Sequence, residues 1–133
     1  MSDAWCYNGQ VFIEPGEYYG FVYEITNLLS GRKYIGKKFF WSLKRKQVNK
    51  VRKRVKVESD WKEYWSSSDE LKSDIERLGK ENFKREIIHL CKNKGTTNYF
   101  EAKEQFIQGV LEDKETWYNS WISVKVARSH IKC

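Results

Sequence analysis

Two neighbouring runs decide the fold of this chain: Phe21-Val22-Tyr23-Glu24-Ile25-Thr26 and Arg32-Lys33-Tyr34-Ile35-Gly36. Both runs contain the aromatic and β-branched residues that favour strands. The segment at 27–31 between them contains Asn, Ser and Gly, which favour turns. Two short strands joined this closely form an antiparallel hairpin. The sequence therefore predicts a hairpin at 21–36, in which two tyrosines lie on neighbouring strands.

The segments around this hairpin predict a mixed domain. Asn8-Gly9 lies between apolar runs and favours a tight hairpin turn. The expected helices are a short one at 39–46, one at 69–78 with Ser68 as its cap, and one at 98–112. A third strand is expected at 83–91. The predicted fold class is α/β (α+β), with a small central antiparallel three-stranded sheet flanked by helices.

The positive charge of the chain is concentrated in one stretch. The 133 residues include 25 Lys and Arg against 18 Asp and Glu, a net charge of +7. The stretch at 44–56 holds no acid and eight of these cations: Lys44, Arg45, Lys46, Lys50, Arg52, Lys53, Arg54 and Lys56. A concentrated cationic stretch suits a polyanion, because each neutralised phosphate releases a counterion. Valines interspersed among the cations leave an extended arm, a ribbon and a helix open, and a solvated loop is the alternative to nucleic-acid contact.

Composition excludes several other classes of protein. A chain of this length favours one domain, and its aromatic content of 16% excludes wholesale disorder. Three distant cysteines and two histidines lack zinc-ligand spacing. With no long apolar stretch and no visible signal peptide, we expect a soluble cytoplasmic protein without a membrane partner.

The paired tyrosine motifs resemble those of the GIY-YIG endonucleases. Tyr34-Ile35-Gly36 matches the second motif fully and begins eleven residues after Tyr23, whereas Phe21-Val22 replaces the Gly-Ile pair of the first. The segment at 60–68, the acidic helix segment at 98–106 and Tyr118-Asn119 are also similar to small phage-encoded members. The resemblance covers roughly residues 20–122.

This resemblance implies a metal-dependent endonuclease that hydrolyses DNA phosphodiester bonds. It assigns to Glu101 one Mg²⁺ (or Mn²⁺) ion per active site, a role that a single carboxylate can fill because Mg²⁺ keeps several waters. It assigns to Tyr23 the orientation or deprotonation of the attacking water, with Tyr34 beside it, and to Asn119 the support of the site. A phenol with a pKa near 10 is a poor base at neutral pH, so nearby cations would have to lower the pKa of Tyr23. The cations available for this are Lys37, Lys38, Lys44 and Arg45.

Four of these assignments have alternatives, and for Asn119 the alternative is a role in a turn. Tyr23 and Tyr34 also suit a cross-strand aromatic pair in the core. Glu101 stands three residues after Asn98, which is the spacing of a capping box, and Glu104 is a second candidate for the metal. The family's catalytic arginine falls by spacing on Lys44, and a shift of one residue in the expected helix would bring Arg45 there instead. Arg grips a phosphate with two parallel hydrogen bonds and Lys cannot.

The sequence is therefore interpreted as one nuclease domain over 1–133, with an N-terminal extension at 1–19 and a basic insertion at 47–57. The expected nucleic-acid-binding residues are Lys38, Lys46, Lys50, Arg52, Lys53, Arg54 and Lys56. The expected partner is DNA, double-stranded in our interpretation, with a homodimer left open because one active site cuts one strand. The alternatives are an inactive nucleic-acid-binding module on the same fold and a ribosome-associated or RNA-packing basic protein.

Overall fold

The computed structural model describes residues 4–48, 51–125 and 127–131, and at 45–48, 52 and 53 it describes the backbone. The strands are β1 (Cys6–Tyr7), β2 (Gln10–Val11), β3 (Gly20–Asn27), β4 (Lys33–Phe39), β5 (Trp41–Val48), β6 (Val51–Glu58) and β7 (Phe83–Cys91). The helices are α1 (Asp69–Leu78) and α2 (Lys94–Gln108), with short 3₁₀ turns at Trp61–Glu63, Lys80–Asn82 and Arg128–His130.

The central sheet has five strands in the order β2-β1-β7-β3-β4. Three of these strands, β7, β3 and β4, form the predicted antiparallel trio, since β3 pairs antiparallel with both β4 and β7. The prediction of only three strands was wrong, because the Asn8-Gly9 hairpin adds β2 and β1, and β1 runs parallel to β7. Both turn residues adopt the left-handed φ that a two-residue hairpin turn requires, 52° at Asn8 and 79° at Gly9.

Alternation along the strands produces two apolar layers. Phe21, Tyr23 and Ile25 of β3 pack with Trp61 and with the buried residues of α1 on one face. Val22 and Ile35 pack on the other face with Val110 and Trp117, beneath α2. Each helix therefore covers one face of the sheet, as the predicted fold class requires.

Helix α1 has the predicted bounds, whereas α2 begins earlier than predicted. The Ser68 hydroxyl accepts a hydrogen bond from the Leu71 amide at 3.2 Å, and α1 ends at Gly79. Helix α2 is capped by Asn93, whose side chain accepts from the Thr96 amide at 2.7 Å. Gly95, a residue type that favours turns, lies inside the first helical turn of α2, where the backbone of His130 approaches it closely.

The basic stretch forms a two-stranded antiparallel ribbon, β5–β6, separate from the five-stranded sheet. The short helix predicted at 39–46 was wrong, because the chain leaves β4 through buried Phe40 and continues extended as β5. β-branched valines favour strands, and cross-strand pairs satisfy the backbone of both. Ser59 closes the base of the ribbon, since its amide donates to the Phe40 carbonyl at 2.8 Å and its hydroxyl to the Phe39 carbonyl at 2.6 Å.

The chain after α2 returns to the free edge of β4. The Lys33 amide donates to the Thr116 carbonyl and the Tyr118 amide to the Lys33 carbonyl, each at 2.8 Å. This contact places residues 116–119 along the edge strand. Within the described ranges, no helix has both the length and the apolar character needed to cross a membrane.

Candidate active site

A cleft of about 640 Å³ lies at the edge strand β4. Five side chains that the sequence predicted as catalytic line it: Tyr23, Tyr34, Lys37, Glu101 and Asn119. They come from β3, β4, α2 and the segment after α2, so residues up to 96 positions apart in the sequence meet at one place. The cleft is therefore the candidate active site.

The edge position of β4 explains how these side chains meet. Tyr23 and Tyr34 lie on the sheet face that packs against α1, whereas Lys37 alternates to the face beneath α2. Glu101 projects from α2 toward Lys37, with 3.5 Å between the Lys37 Nζ and Glu101 Oε1 atoms. Because β4 is the last strand of this sheet in the part of the chain that the structure describes, groups from both faces reach the same cleft.

Gly36 leaves the space that the Tyr23 hydroxyl occupies. Gly36 pairs directly with Tyr23 across the two strands. A Cβ at residue 36 would lie 2.5 Å from the Tyr23 oxygen and 2.8 Å from the Tyr34 ring, far inside van der Waals contact. The glycine of the Tyr-Ile-Gly motif is thus required by the close approach of two tyrosines.

Tyr64 is a third tyrosine of the cleft, and sequence reasoning did not select it. Its ring centroid lies 6.1 Å from that of Tyr23, which in turn lies 6.2 Å from that of Tyr34. Lys38 covers the Tyr64 ring at 4.2 Å and pairs with Asp60 at 2.7 Å. The signal was available, because Tyr64 belongs to the Trp-Lys-x-Tyr segment that supported the family resemblance.

Burial keeps the two motif tyrosines protonated. The pKa of Tyr23 is raised well above its ordinary value, first by burial and then by the neighbouring Tyr64, Tyr34 and Glu101. Burial also raises the pKa of Tyr34, while a hydrogen bond with Ser67 opposes the shift. Both directions are opposite to the one that a tyrosinate base needs. These phenols are suited to donating hydrogen bonds.

Glu101 is a largely buried carboxylate beside one cation. Its side chain is 14% exposed, and burial raises its pKa, with Lys37 opposing the rise. The predicted capping-box alternative is wrong, because α2 starts at Lys94 and Asn98 lies inside it. Glu104 turns away from the cleft and contacts His89 at 3.0 Å. Of the two glutamates of α2, Glu101 lines the cleft and Glu104 does not.

Asn119 fastens the chain after α2 to the edge strand. Its side-chain oxygen accepts from the Ile35 amide at 3.1 Å, and its NH₂ donates to the Ile35 carbonyl at 2.8 Å. Gln105 donates to the same carbonyl at 2.9 Å. Both amides are buried. The Asn119 side chain thus bonds to both the amide and the carbonyl of Ile35, as the backbone of a neighbouring strand would, directly beside Tyr34 and Gly36.

The structure does not bring the expected arginine position into the cleft. Lys44 lies on β5 with an exposed side chain and is not among the cleft-lining residues. Arg45 follows it on the same strand, and its side chain lies outside the described part. The helix that would have shifted Arg45 into place is absent, because β5 is extended. A different guanidinium, that of Arg32, lies next to the cleft. It contacts two residues that line the cleft, the Glu70 carboxylate at 2.9 Å and the Tyr118 ring at 4.0 Å.

Five of the remaining predicted DNA-binding residues lie on the ribbon. Arg54 and Lys56 are exposed there, and Lys56 covers the Trp41 ring at 4.5 Å. Lys46, Arg52 and Lys53 are placed by their backbone, and Lys50 falls outside the described residues. Across the described ranges there is no cluster of three or more His, Cys, Asp or Glu side chains that would hold a metal ion by themselves.

Comparison with known families agrees with this arrangement. The family model described as "Putative endonuclease segE, GIY-YIG domain" matches residues 5–122. Fold and cleft define a GIY-YIG domain, as the motif resemblance predicted. The chain belongs to the GIY-YIG endonuclease family, with the segE domain as the matching model. Comparisons with curated proteins and with solved structures gave no significant match.

Proposed function

We propose that this protein is a metal-dependent endonuclease that hydrolyses phosphodiester bonds of double-stranded DNA in the cleft at β4. The observation that carries the proposal is the convergence of three tyrosines with the Lys37–Glu101 pair in one cleft. Hydrolysis of a phosphodiester needs an oriented water, compensation of charge on the phosphate and help for the departing oxygen. The cleft offers groups for each of these needs.

The donor set suits one hydrated divalent cation. Glu101 presents a carboxylate to a cleft that is also lined by tyrosine and serine hydroxyls and by the carboxylates of Asp69 and Glu70, and Mg²⁺ and Mn²⁺ favour hard oxygen ligands. Because Mg²⁺ keeps several waters, one carboxylate is enough to anchor it. When bound, the ion supplies charge stabilisation to the phosphate and lowers the pKa of a coordinated water.

The protein's own side chains would position the reactants. Tyr23 remains a neutral phenol because its pKa is raised, so we assign it to orient the attacking water through a hydrogen bond rather than to act as a base alone. Tyr34 and Tyr64 flank it and hold its ring. Lys37 lies 3.5 Å from Glu101, so its ammonium group would also be close to a phosphate bound beside Glu101. There it would offset part of the negative charge of the phosphate. Asn119 supports the strand that presents Tyr34.

The ribbon would supply affinity for the DNA backbone. Its exposed cations project from the end of β4, the same strand that lines the cleft. We assign Lys44 and Arg45 to this surface instead of to catalysis, together with Lys46, Lys50, Arg52, Lys53, Arg54 and Lys56. A single cleft cuts one strand, so a double-strand break would require a homodimer or two successive nicks.

One observation favours a second candidate, an inactive DNA-binding module on the same fold. The family position for a catalytic arginine falls on the ribbon, where Lys44 does not line the cleft. Incubation of the purified chain with duplex DNA or duplex RNA, in Mg²⁺ or in a chelator, separates the two candidates. We expect cleavage of the DNA in Mg²⁺ alone. DNA binding without cleavage in any divalent ion would establish the binding module instead.

A further inference from the structure

The two faces of the β5–β6 ribbon differ in residue type. Trp41 pairs with Glu58 and the register continues without a break to the pair of Val48 and Val51. Residues directly opposite each other share a face, and the face alternates from one pair to the next. The backbone register therefore assigns every ribbon position to one of two faces.

All three arginines of the ribbon fall on one face. This arginine face holds positions Trp41, Leu43, Arg45, Gln47, Arg52, Arg54, Lys56 and Glu58. The other face, the lysine face, holds Ser42, Lys44, Lys46, Val48, Val51, Lys53, Val55 and Val57. A stretch that binds phosphates by charge alone gains nothing from separating Arg and Lys in this way.

Side chains near the base of the ribbon agree with this assignment. Lys56 lies 4.5 Å over the Trp41 ring, which requires the two to share a face. Among the residues whose side chains are described, the arginine face has four exposed positions (Leu43, Arg54, Lys56 and Glu58) and half-buried Trp41, whereas the lysine face has two exposed positions (Lys44 and Val51) and three half-buried ones (Ser42, Val55 and Val57). The arginine face is therefore the more open to a partner.

The chemistry of the arginine face matches base edges. Arg can donate two hydrogen bonds to O6 and N7 of guanine, and Gln can pair with N6 and N7 of adenine. The major groove of B-DNA is about 12 Å wide and admits a two-stranded ribbon. Each ribbon strand has eight residues, and at about 3.3 Å per residue this length spans several base pairs.

We propose that the arginine face of the ribbon reads base edges in the major groove, so that the ribbon selects the DNA sequence as well as binding its backbone. This proposal rests on the proposed DNA endonuclease function. The long lysines of the other face would reach the phosphates on either side of the groove. Because the ribbon continues directly from β4 through Phe40, the bases it reads would stand at a fixed distance from the bond that is cut.

Arg54 and Lys44 form a matched pair for the test. They are exposed, lie on neighbouring pairs of the ribbon and belong to opposite faces. The full chain, in chelator, is first used to select tight binders from duplexes with a randomised segment. Binding to the selected duplex and to a scrambled duplex is then compared for wild type, Arg54→Ala and Lys44→Ala, with melting curves to check folding.

We expect Arg54→Ala to reduce the preference for the selected duplex by about tenfold. Lys44→Ala should weaken binding to both duplexes equally and reduce the log–log salt slope by about 0.9. Replacing guanine by 7-deazaguanine in the selected duplex should imitate Arg54→Ala, because it removes the N7 acceptor. Failure to select any sequence, or equal losses on both duplexes for both variants, would overturn base reading. Failure of the wild type to cut the selected duplex in Mg²⁺ would instead overturn the proposed nuclease function.

Discussion

Tyr23 combines deep burial with a position in the lining of the cleft. Its pKa is raised mainly by burial, so at neutral pH the residue donates a hydrogen bond. The phenol oxygen lies against Gly36, which leaves little freedom for the ring to move. Orientation of this one hydroxyl is therefore fixed by two neighbouring strands.

We expect Tyr23→Phe to lower the cleavage rate by about 10²-fold or more while the ring keeps its packing. The lost hydrogen bond with Tyr64 should cost about 1 kcal/mol of unfolding free energy. Single-turnover rates and melting curves on the same samples would measure both. Tyr18→Phe, which changes a tyrosine at the edge of the core that does not line the cleft, is the control. A full rate with a lowered melting temperature would return Tyr23 to a purely structural role.

Gly36→Ala tests the close approach of the two tyrosines. The new methyl would displace the Tyr23 or the Tyr34 ring, and overpacking of this kind costs about 1–3 kcal/mol. We expect loss of both stability and cleavage. In a Tyr23→Phe background the destabilisation should be smaller, because the closest atom has been removed. Equal destabilisation in both backgrounds would contradict the proposed contact.

At the scale of elements, the cleft depends on how the chain after α2 is held. Tyr118 donates a hydrogen bond to Asp74 of α1 at 2.7 Å and accepts one from Asn27 of β3 at 3.0 Å. These bonds connect α1 and β3 to the segment that carries Asn119. Deleting the charge of Asp74 should therefore loosen the segment that supports β4.

The pKa of Asp74 is lowered first by the Tyr118 hydrogen bond and then by Arg77 and Arg32. A lowered pKa in the folded state adds stability above the ordinary pKa near 3.9, and this stability is lost as pH falls through the folded value. We expect Asp74→Asn to lower the unfolding free energy by about 1 kcal/mol at pH 7. The difference from wild type should shrink below about pH 4.

Denaturant titrations across this pH range would measure the Asp74 effect. Asp69→Asn is the control, because Asp69 lies on the same helix with a fully exposed side chain. An Asp74→Asn variant as stable as Asp69→Asn at pH 7 would contradict the link between α1 and the segment after α2.

Elements with strong local signals could be predicted from the sequence. The Tyr23–Tyr34 hairpin has runs of β-branched residues, and α1 has a serine cap and a glycine after its last turn. The structure has both elements where the sequence predicts them. The predicted start of α2 was too late, because glycine is a residue type that favours turns. In the fold Gly95 is instead a closely packed residue of the helix. For the basic stretch the sequence left a ribbon open beside an arm and a helix, because Lys and Arg also suit helices.

At the scale of the whole molecule, the site is assembled by long-range contacts. The family resemblance selected Tyr23, Tyr34, Glu101 and Asn119, Lys37 was expected as one of the available cations, and the structure gathers these residues in one cleft. The helix expected around Lys44 and Arg45 does not form, because the chain is extended there as β5, and Lys44 does not line the cleft. Tyr64 packs against Tyr23, and Arg32 packs against Tyr118 at the cleft rim, so both contacts join segments that are distant in the sequence.

The central claim is that Glu101 anchors the metal on which cleavage of DNA depends. Its most direct test is the single-turnover cleavage rate of a duplex in Mg²⁺ for wild type, Glu101→Gln and Glu104→Gln. Glu104 is the matched control, since it lies on the same helix and contacts His89 away from the cleft. Burial raises the pKa of Glu101, so ionisation of this group opposes folding as pH rises through the folded value, and Glu101→Gln should melt no lower than wild type at pH 7.

We expect Glu101→Gln to abolish Mg²⁺-dependent cleavage while it binds duplex DNA nearly as well as wild type and keeps its stability. The control variant, Glu104→Gln, should cut at close to the wild-type rate. Cleavage by Glu101→Gln at the wild-type rate would contradict the role of Glu101 as the metal anchor.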